Sequence, residues 1–326
     1  MRLISKLLCS ALLVSASMTA SAYSSLVVFG DSLSDSGNNT LAVGTDPWQI
    51  VSGNSYVPTY TYASGVYSNG PVWATQFADK LGLGLSPSIL GGNNFAFGGA
   101  QTSYFVPGES TPSLVMQTGM YLTKTAGVAD ATGLYVVAGG GNNIRAAVTA
   151  VVEALMSGNI SLIPGIIGSA AVQFAADIGS IVDSLQDAGA KDVIVWNAPN
   201  LGLTPAAIAA GGGDLGTQIS QTFNQVLAGR LASESGVKTF DLYGLAGQAA
   251  AKGFTNTTDA CGATGNSCSN YLFWDGIHPT TAAHSLIAEN MYVTAVPEPE
   301  TVVLMVMGLG LIAYRTRRRA ATTQVA

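Results

Sequence analysis

Three short apolar runs constrain the fold of this 326-residue chain more than any other feature: LVVFG at 26–30, LYVVAG at 134–139 and DVIVWNAP at 192–199. Each is rich in β-branched residues, too short for a stable helix, and closed by Gly or by an Asn/Pro turn. Such runs read as strands buried on both faces. NFAF at 94–97 and VKTFDLY at 237–243 are weaker strand candidates. Between the runs, Phe174, Ile178, Ile181, Val182 and Leu185 fall at helical spacing, and Gly189 supplies a helix stop. Strands alternating with helices predict a parallel sheet flanked by helices. No repeat or interior linker divides the chain between residues 23 and 296.

The two ends read differently from the middle. Residues 1–22 carry Arg2 and Lys6, then the apolar LLCSALLVSA, then Ala20-Ser21-Ala22 before Tyr23, the pattern of a removable signal peptide. Cys9 falls inside this segment. At the other end, Pro297-Glu298-Pro299 leads into an apolar stretch from Thr301 to Tyr314, followed by Arg315, Arg317, Arg318 and Arg319. Those 14 residues are short of the about 20 that a membrane span usually needs. The order Pro-Glu-Pro, apolar stretch, Arg cluster resembles the PEP-CTERM sorting signal of exported Gram-negative proteins. That resemblance implies an exosortase-like peptidase as partner, processing near Pro297 to Pro299, and at most a transient transmembrane anchor. The expected organisation is therefore 1–22 signal peptide, 23–296 a single folded domain and 297–326 sorting segment, in an exported protein of the cell envelope or its surroundings.

Residues 23–296 hold seven Lys and Arg against 17 Asp and Glu, a net charge of −10. With no basic stripe, nucleic acid and anionic membrane surfaces are poor partners. Cys261 and Cys268 remain, separated by six small or polar residues, and in an exported chain they are expected to close a surface loop as a disulfide. A zinc site would want four ligands, and the chain has only two histidines, so no metal is expected. GGGNN at 139–143 lacks the Lys-Ser/Thr of a phosphate loop, so no nucleotide cofactor is expected either. The nearly uncharged stretch 146–182 is interrupted by Pro164, Gly165, Gly168 and Gln173, and reads as buried helices or an apolar cap over a site.

Ser32 lies just past the first apolar run, in VVFGDSLSDSGNN, at the sheet edge where α/β folds bind ligands. A serine hydroxyl becomes a useful nucleophile only beside a base that a third group orients. The base must be His278 or His284. His278 stands three residues after Asp275 and directly before Pro279, in FWDGIHPTTAAH, where the proline disfavours helix. A short turn could then supply base and orienting acid together. His284 falls among Ala283, Leu286, Ile287 and Met291 and is expected on the flank of a terminal helix. Donors for a developing oxyanion could come from the Gly98-Gly99 turn and from Asn142. Tyr271, Phe273 and Trp274, with Tyr56, Tyr60, Tyr62, Tyr67 and the stretch 146–170, suggest an apolar acyl site.

Taken in order, four segments resemble the blocks of the GDSL family, the SGNH hydrolases: Gly30-Asp31-Ser32-Leu33, Gly98 in NFAFGGA, Gly140-Gly141-Asn142-Asn143, and Asp275-Gly-Ile-His278. SNGPVWATQFADKLG at 68–82 and NAPNLGLTP at 197–205 look like the family's intervening stretches, so the resemblance covers residues 26–294. It implies a three-layer α/β/α, flavodoxin-like fold without a cofactor. It further implies Ser32 as nucleophile and backbone donor, His278 as base, Asp275 as orienting acid, and Gly98, or Gly99 in its place, with Asn142 as oxyanion donors. Asn143 departs from the pattern, which often has Asp there. The expected activity is hydrolysis of a small-molecule or lipid ester through an acyl-enzyme. The alternatives are an acetylesterase acting on polysaccharide and a non-catalytic binding module on the same fold.

Overall fold

Alternate residues of each short strand must find apolar cover on opposite sides, and two helical layers provide it. In the computed structural model, residues 23–44, 65–103, 111–263 and 267–296, with Gly308, are described. The segment read as signal peptide, the sorting segment apart from Gly308, and Tyr56, Tyr60 and Tyr62 lie outside the described residues. Strands β1 (Leu26–Gly30), β2 (Leu134–Ala138), β3 (Asp192–Trp196) and β4 (Val237–Phe240) form one parallel sheet in the order β1-β2-β3-β4. Val27, Phe29, Tyr135, Val137, Val193 and Val195 face one core. That core is completed by helices α3 (Leu114–Lys124), α4 (Gly141–Met156), α5 (Ile163–Asp187) and α7 (Gly213–Leu231). Leu26, Val28, Leu134, Val136, Ile194, Trp196 and Phe240 face the second core, against α2 (Trp73–Leu81) and α9 (Thr281–Ala295). The result is the expected three-layer α/β/α stack.

Both weaker strand candidates take part. Val237–Phe240 is the regular edge strand β4. The NFAF segment runs alongside β1 without a regular strand's geometry: the Val28 N–H donates to Asn93 O at 3.0 Å, and the Phe95 N–H to Val28 O at 2.7 Å. The Gly98 turn is thereby delivered next to the end of β1.

Pro164 does not break the uncharged stretch; it sits in the first turn of α5, where its missing N–H costs nothing. Ile160–Asp187, α5 with its short 3-10 lead-in, is the one helix among the described residues long and apolar enough to cross a membrane by length and composition. Its apolar face, Ala171, Phe174, Ile178, Ile181, Val182 and Leu185, is nonetheless consumed by the first core.

A small second sheet has no counterpart in the sequence reading. Strands β5 (Asn256–Ala260) and β6 (Tyr271–Phe273) pair in parallel, and the Cys261–Cys268 disulfide spans the connection between them. The chain leaving β6 turns tightly, with the Trp274 N–H donating to His278 O at 2.7 Å and Phe273 bridged to Pro279. Helices α1 (Asn38–Val43), α6 (Pro205–Ala209) and α8 (Leu242–Gly247) fill the loops at the sheet's C-terminal edge.

Candidate active site

Ser32 is carried on the turn that ends β1. The Asp31 carbonyl accepts the N–H groups of Ser34 and Asp35, both at 3.0 Å, and Asp31 Oδ1 accepts the Leu33 N–H at 3.0 Å. Gly30 is required here, because a Cβ would stand 2.6 Å from the carbonyl oxygen of Ala138 on the neighbouring strand. Asp275 pins the second turn: its Oδ1 accepts the N–H groups of Ile277 and His278, at 2.8 and 2.6 Å. The other oxygen, Oδ2, lies 2.7 Å from His278 Nδ1, and His278 Nε2 lies 2.8 Å from Ser32 Oγ. Asp275 is fully buried, while His278 and Ser32 are 3% and 8% exposed. A carboxylate on Nδ1 selects the tautomer with its proton there, which leaves the Nε2 lone pair facing the hydroxyl. Three residues separated by up to 246 positions thus form one relay that can deprotonate Ser32.

The oxyanion candidates divide. The Gly98 N–H is spent on Asp35 Oδ2, at 3.0 Å, and Gly98 is buried under the Tyr67 ring, where a Cβ would lie 2.3 Å from a ring carbon. The Gly98 N–H is thus already paired in this structure. Gly99 is exposed and has φ of +86°, and its N–H has no acceptor among the described residues. Nor does the Ser32 N–H. Asn142 donates one Nδ2 hydrogen to the Ala100 carbonyl at 3.0 Å, leaving the second for a ligand. Asn143, the departure from the family pattern, has a local reason. The Thr102 hydroxyl bonds Asp177 Oδ2 at 2.6 Å, so its remaining lone pair needs a donor, and Asn143 Nδ2 provides one at 2.9 Å. An aspartate there would set a carboxylate against that lone pair.

Several residues escaped the sequence reading. Asp35 gathers four backbone N–H groups, those of Gly37, Asn38, Asn39 and Gly98. It thereby ties the Ser32 turn to the glycine turn, although burial pushes its carboxyl above the usual range. Tyr67, expected among the acyl-site aromatics, lies instead against the His278 ring, with centroids 5.2 Å apart. Asp31 is buried beside Ser32, and desolvation raises its carboxyl to about 6, against the Leu33 N–H, His278 and Arg145, which oppose the shift. His284 is not a flank residue: it is fully buried, neither ring nitrogen has a hydrogen-bond partner among the described residues, and desolvation lowers it to about 3. No signal in the sequence distinguished these environments, since each depends on a partner from another block.

Two depressions adjoin at Asn142, Arg145, Leu201, Thr204 and Ile277, and Ser32 lies in the first of them. One is an apolar slot lined chiefly by Leu33, Leu242, Leu245, Leu272, Phe273 and Leu286. Of the expected aromatics among the described residues, only Phe273 lines it, and the walls these residues form are mainly aliphatic. The other is a broader, more polar groove along α4, bounded by Gly99, Asn142, Arg145, Thr149, Val152 and residues 206–216, where α6 leads into α7. From the stretch 146–170, only its first turns reach this groove. No group of His, Cys, Asp and Glu side chains able to hold a metal ion occurs among the described residues.

Comparison with known proteins gives a consistent result. The GDSL-like lipase/acylhydrolase family profile matches residues 26–291. The PEP-CTERM protein-sorting motif matches residues 295–319. Esterase EstA of Pseudomonas aeruginosa is 30% identical over 348 residues, covering 92% of this chain and 51% of its own length. Lipase 1 of Photorhabdus luminescens is 33% identical over 196 residues, 60% of this chain and 25% of its own. A GDSL esterase/lipase of Arabidopsis thaliana is 25% identical over 339 residues, covering 83% of this chain and 89% of its own. The chain spans about half the length of the first of these relatives.

Proposed function

The chain belongs to the GDSL-like lipase/acylhydrolase family, and from that premise we propose that it hydrolyses carboxylic esters through an acyl-enzyme on Ser32. The observation that carries this reading is the relay from Asp275 through His278 to Ser32, at 2.7 and 2.8 Å. His278 Nε2 takes the hydroxyl proton as Ser32 Oγ attacks the ester carbonyl. The tetrahedral oxyanion is held by the Ser32 N–H, the Gly99 N–H and the free Nδ2 hydrogen of Asn142. Collapse breaks the ester C–O bond, and the His278 proton leaves with the alcohol. Water then attacks the acyl-enzyme, giving its proton to His278, and the acid departs as Ser32 recovers its proton. The aliphatic slot receives the acyl chain and the groove along α4 receives the alcohol.

The PEP-CTERM motif at 295–319 marks a protein sorted to the cell envelope. In our reading, residues 1–22 are removed on export, residues 23–296 are the catalytic domain, and a sorting peptidase cuts near Pro297 to Pro299.

The test is hydrolysis of p-nitrophenyl esters together with labelling by a fluorophosphonate. Ser32→Ala and His278→Ala are expected to lose activity by roughly 10⁴- to 10⁶-fold, and Asp275→Asn to retain more of it. A folded Ser32→Ala protein that hydrolyses at the original rate would refute the mechanism. Absence of labelling and of turnover in the unmodified protein would favour a binding module instead.

A further inference from the structure

A carboxamide can face a substrate with either its oxygen or its amino group, and only the amino group can stabilise an oxyanion. Two neighbours decide the orientation of Asn142. Its Nδ2 donates to the Ala100 carbonyl at 3.0 Å, and its Oδ1 accepts from Arg145 Nη1 at 3.1 Å. Turning the amide over would set Oδ1 against a carbonyl oxygen and the amino group against a guanidinium. Two hydrogen bonds would become two repulsive contacts. Asn142 and Arg145 lie three residues apart in the first turns of α4, so both side chains stand on one face of the helix. Arg145 is half-buried and, among the described residues, is the only Lys or Arg lining either depression.

We propose that Arg145 is a positioning residue for ester hydrolysis: its guanidinium fixes the Asn142 carboxamide so that one Nδ2 hydrogen stays on Ala100 and the other is presented to the oxyanion. The inference rests on the reading of Asn142 as an oxyanion donor. The guanidinium contributes in two ways. It removes the flipped amide from the population, and its charge strengthens the hydrogen bond to Oδ1, drawing electron density from the amide so that Nδ2–H becomes a better donor. The Ala100 carbonyl opposes the flipped amide with one contact, and Arg145 adds the second by holding Oδ1 directly.

The experiment is a double-mutant cycle on the full chain with a neutral p-nitrophenyl ester, using Arg145→Met, Asn142→Ala and the pair, with melting temperatures recorded for each. Asn142→Ala is expected to lower kcat by about 10²- to 10³-fold, the usual cost of an oxyanion donor. Arg145→Met should lower kcat by about 10-fold with KM within about twofold, a part of that same cost. In the Asn142→Ala background, Arg145→Met should have no further effect, because the amide it orients is gone. Arg145→Lys, which keeps a cationic donor but not the planar fork, should fall between Arg145→Met and the unmodified protein. Full kcat in Arg145→Met, or equal losses in both backgrounds, would overturn the proposal. A raised KM confined to anionic esters would also overturn it, and would place Arg145 in substrate binding. If Asn142→Ala keeps its full kcat, the reading of the oxyanion site itself fails, a result separable from failure of Arg145 alone.

Discussion

At the scale of single residues, two of the buried ionisable groups, Asp31 beside Ser32 and His284 in α9, have opposite consequences for stability. Asp31 titrates near 6 in the folded protein against an ordinary 3.8, so the unfolded chain loses its proton first as pH rises. Stability is therefore lost between about pH 4 and 6, by up to about 3 kcal/mol at neutral pH. His284 titrates near 3 against 6.5, so the unfolded chain gains its proton first as pH falls, and stability is lost from about pH 6.5 down to 3. Asp31→Asn, which keeps an oxygen for the Leu33 N–H, is expected to raise the melting temperature at pH 7 and to bring no gain below pH 4. His284→Leu should flatten the acid side of the same curve. Melting profiles of the three proteins from pH 3 to 8 check both signs, and a variant curve parallel to the original would contradict the corresponding assignment. The triad candidates were legible because each motif is local: a turn after a strand, and an acid three residues before a histidine. Asp35, Tyr67 and Arg145 were not, because an acidic residue, a tyrosine or an arginine acquires its task only from what the fold lays beside it. The choice between Gly98 and Gly99 turned on one N–H, which Asp35 occupies from 63 positions away.

At the scale of elements, the parallel sheet could be read from the sequence, whereas the small sheet that carries the Asp275–His278 turn could not. LVVFG, LYVVA and DVIVW are buried almost throughout, and burial on both faces is what their β-branched composition encodes. Strand β5, NTTDA, buries only Ala260 fully and is held by pairing with β6 and by the disulfide, so its sequence carries no apolar pattern. That dependence gives a prediction. Closing an eight-residue loop restricts the unfolded chain by about 2.5 kcal/mol at room temperature. Reduction, or Cys261→Ala with Cys268→Ala, should lower the melting temperature by several degrees while far-ultraviolet circular dichroism keeps its native amplitude. kcat should fall with it, because β6 leads directly into Asp275. An unaltered kcat in the reduced protein would show that the turn is held by Asp275 and its backbone N–H groups alone.

At the scale of the whole molecule, everything chemical gathers at one edge. The β1 end presents Ser32, the segment beside it presents Gly99, the β2 end presents Asn142, and the returning chain before α9 closes the edge with Asp275 and His278. This is the crevice that an open parallel sheet leaves beyond its strand ends, and it explains why four motifs scattered over the chain converge. In the proposed reading, the same edge selects the acyl group. The slot beside Ser32 is walled by Leu33, Leu242, Leu245, Leu272, Phe273 and Leu286, with little polar surface to satisfy a sugar. Each acyl methylene buried there contributes about 0.8 kcal/mol, close to fourfold in kcat/KM, until the slot is filled. A p-nitrophenyl ester series from acetate to palmitate is therefore expected to rise with chain length and to peak at four carbons or longer. Leu245→Trp, which fills the slot without touching Ser32 or His278, should shift the optimum toward acetate and leave acetate turnover nearly unchanged. A maximum at acetate in the unmodified protein, with release of acetate from an acetylated polysaccharide, would instead assign the groove along α4 to a glycan and leave the aliphatic slot without a substrate role.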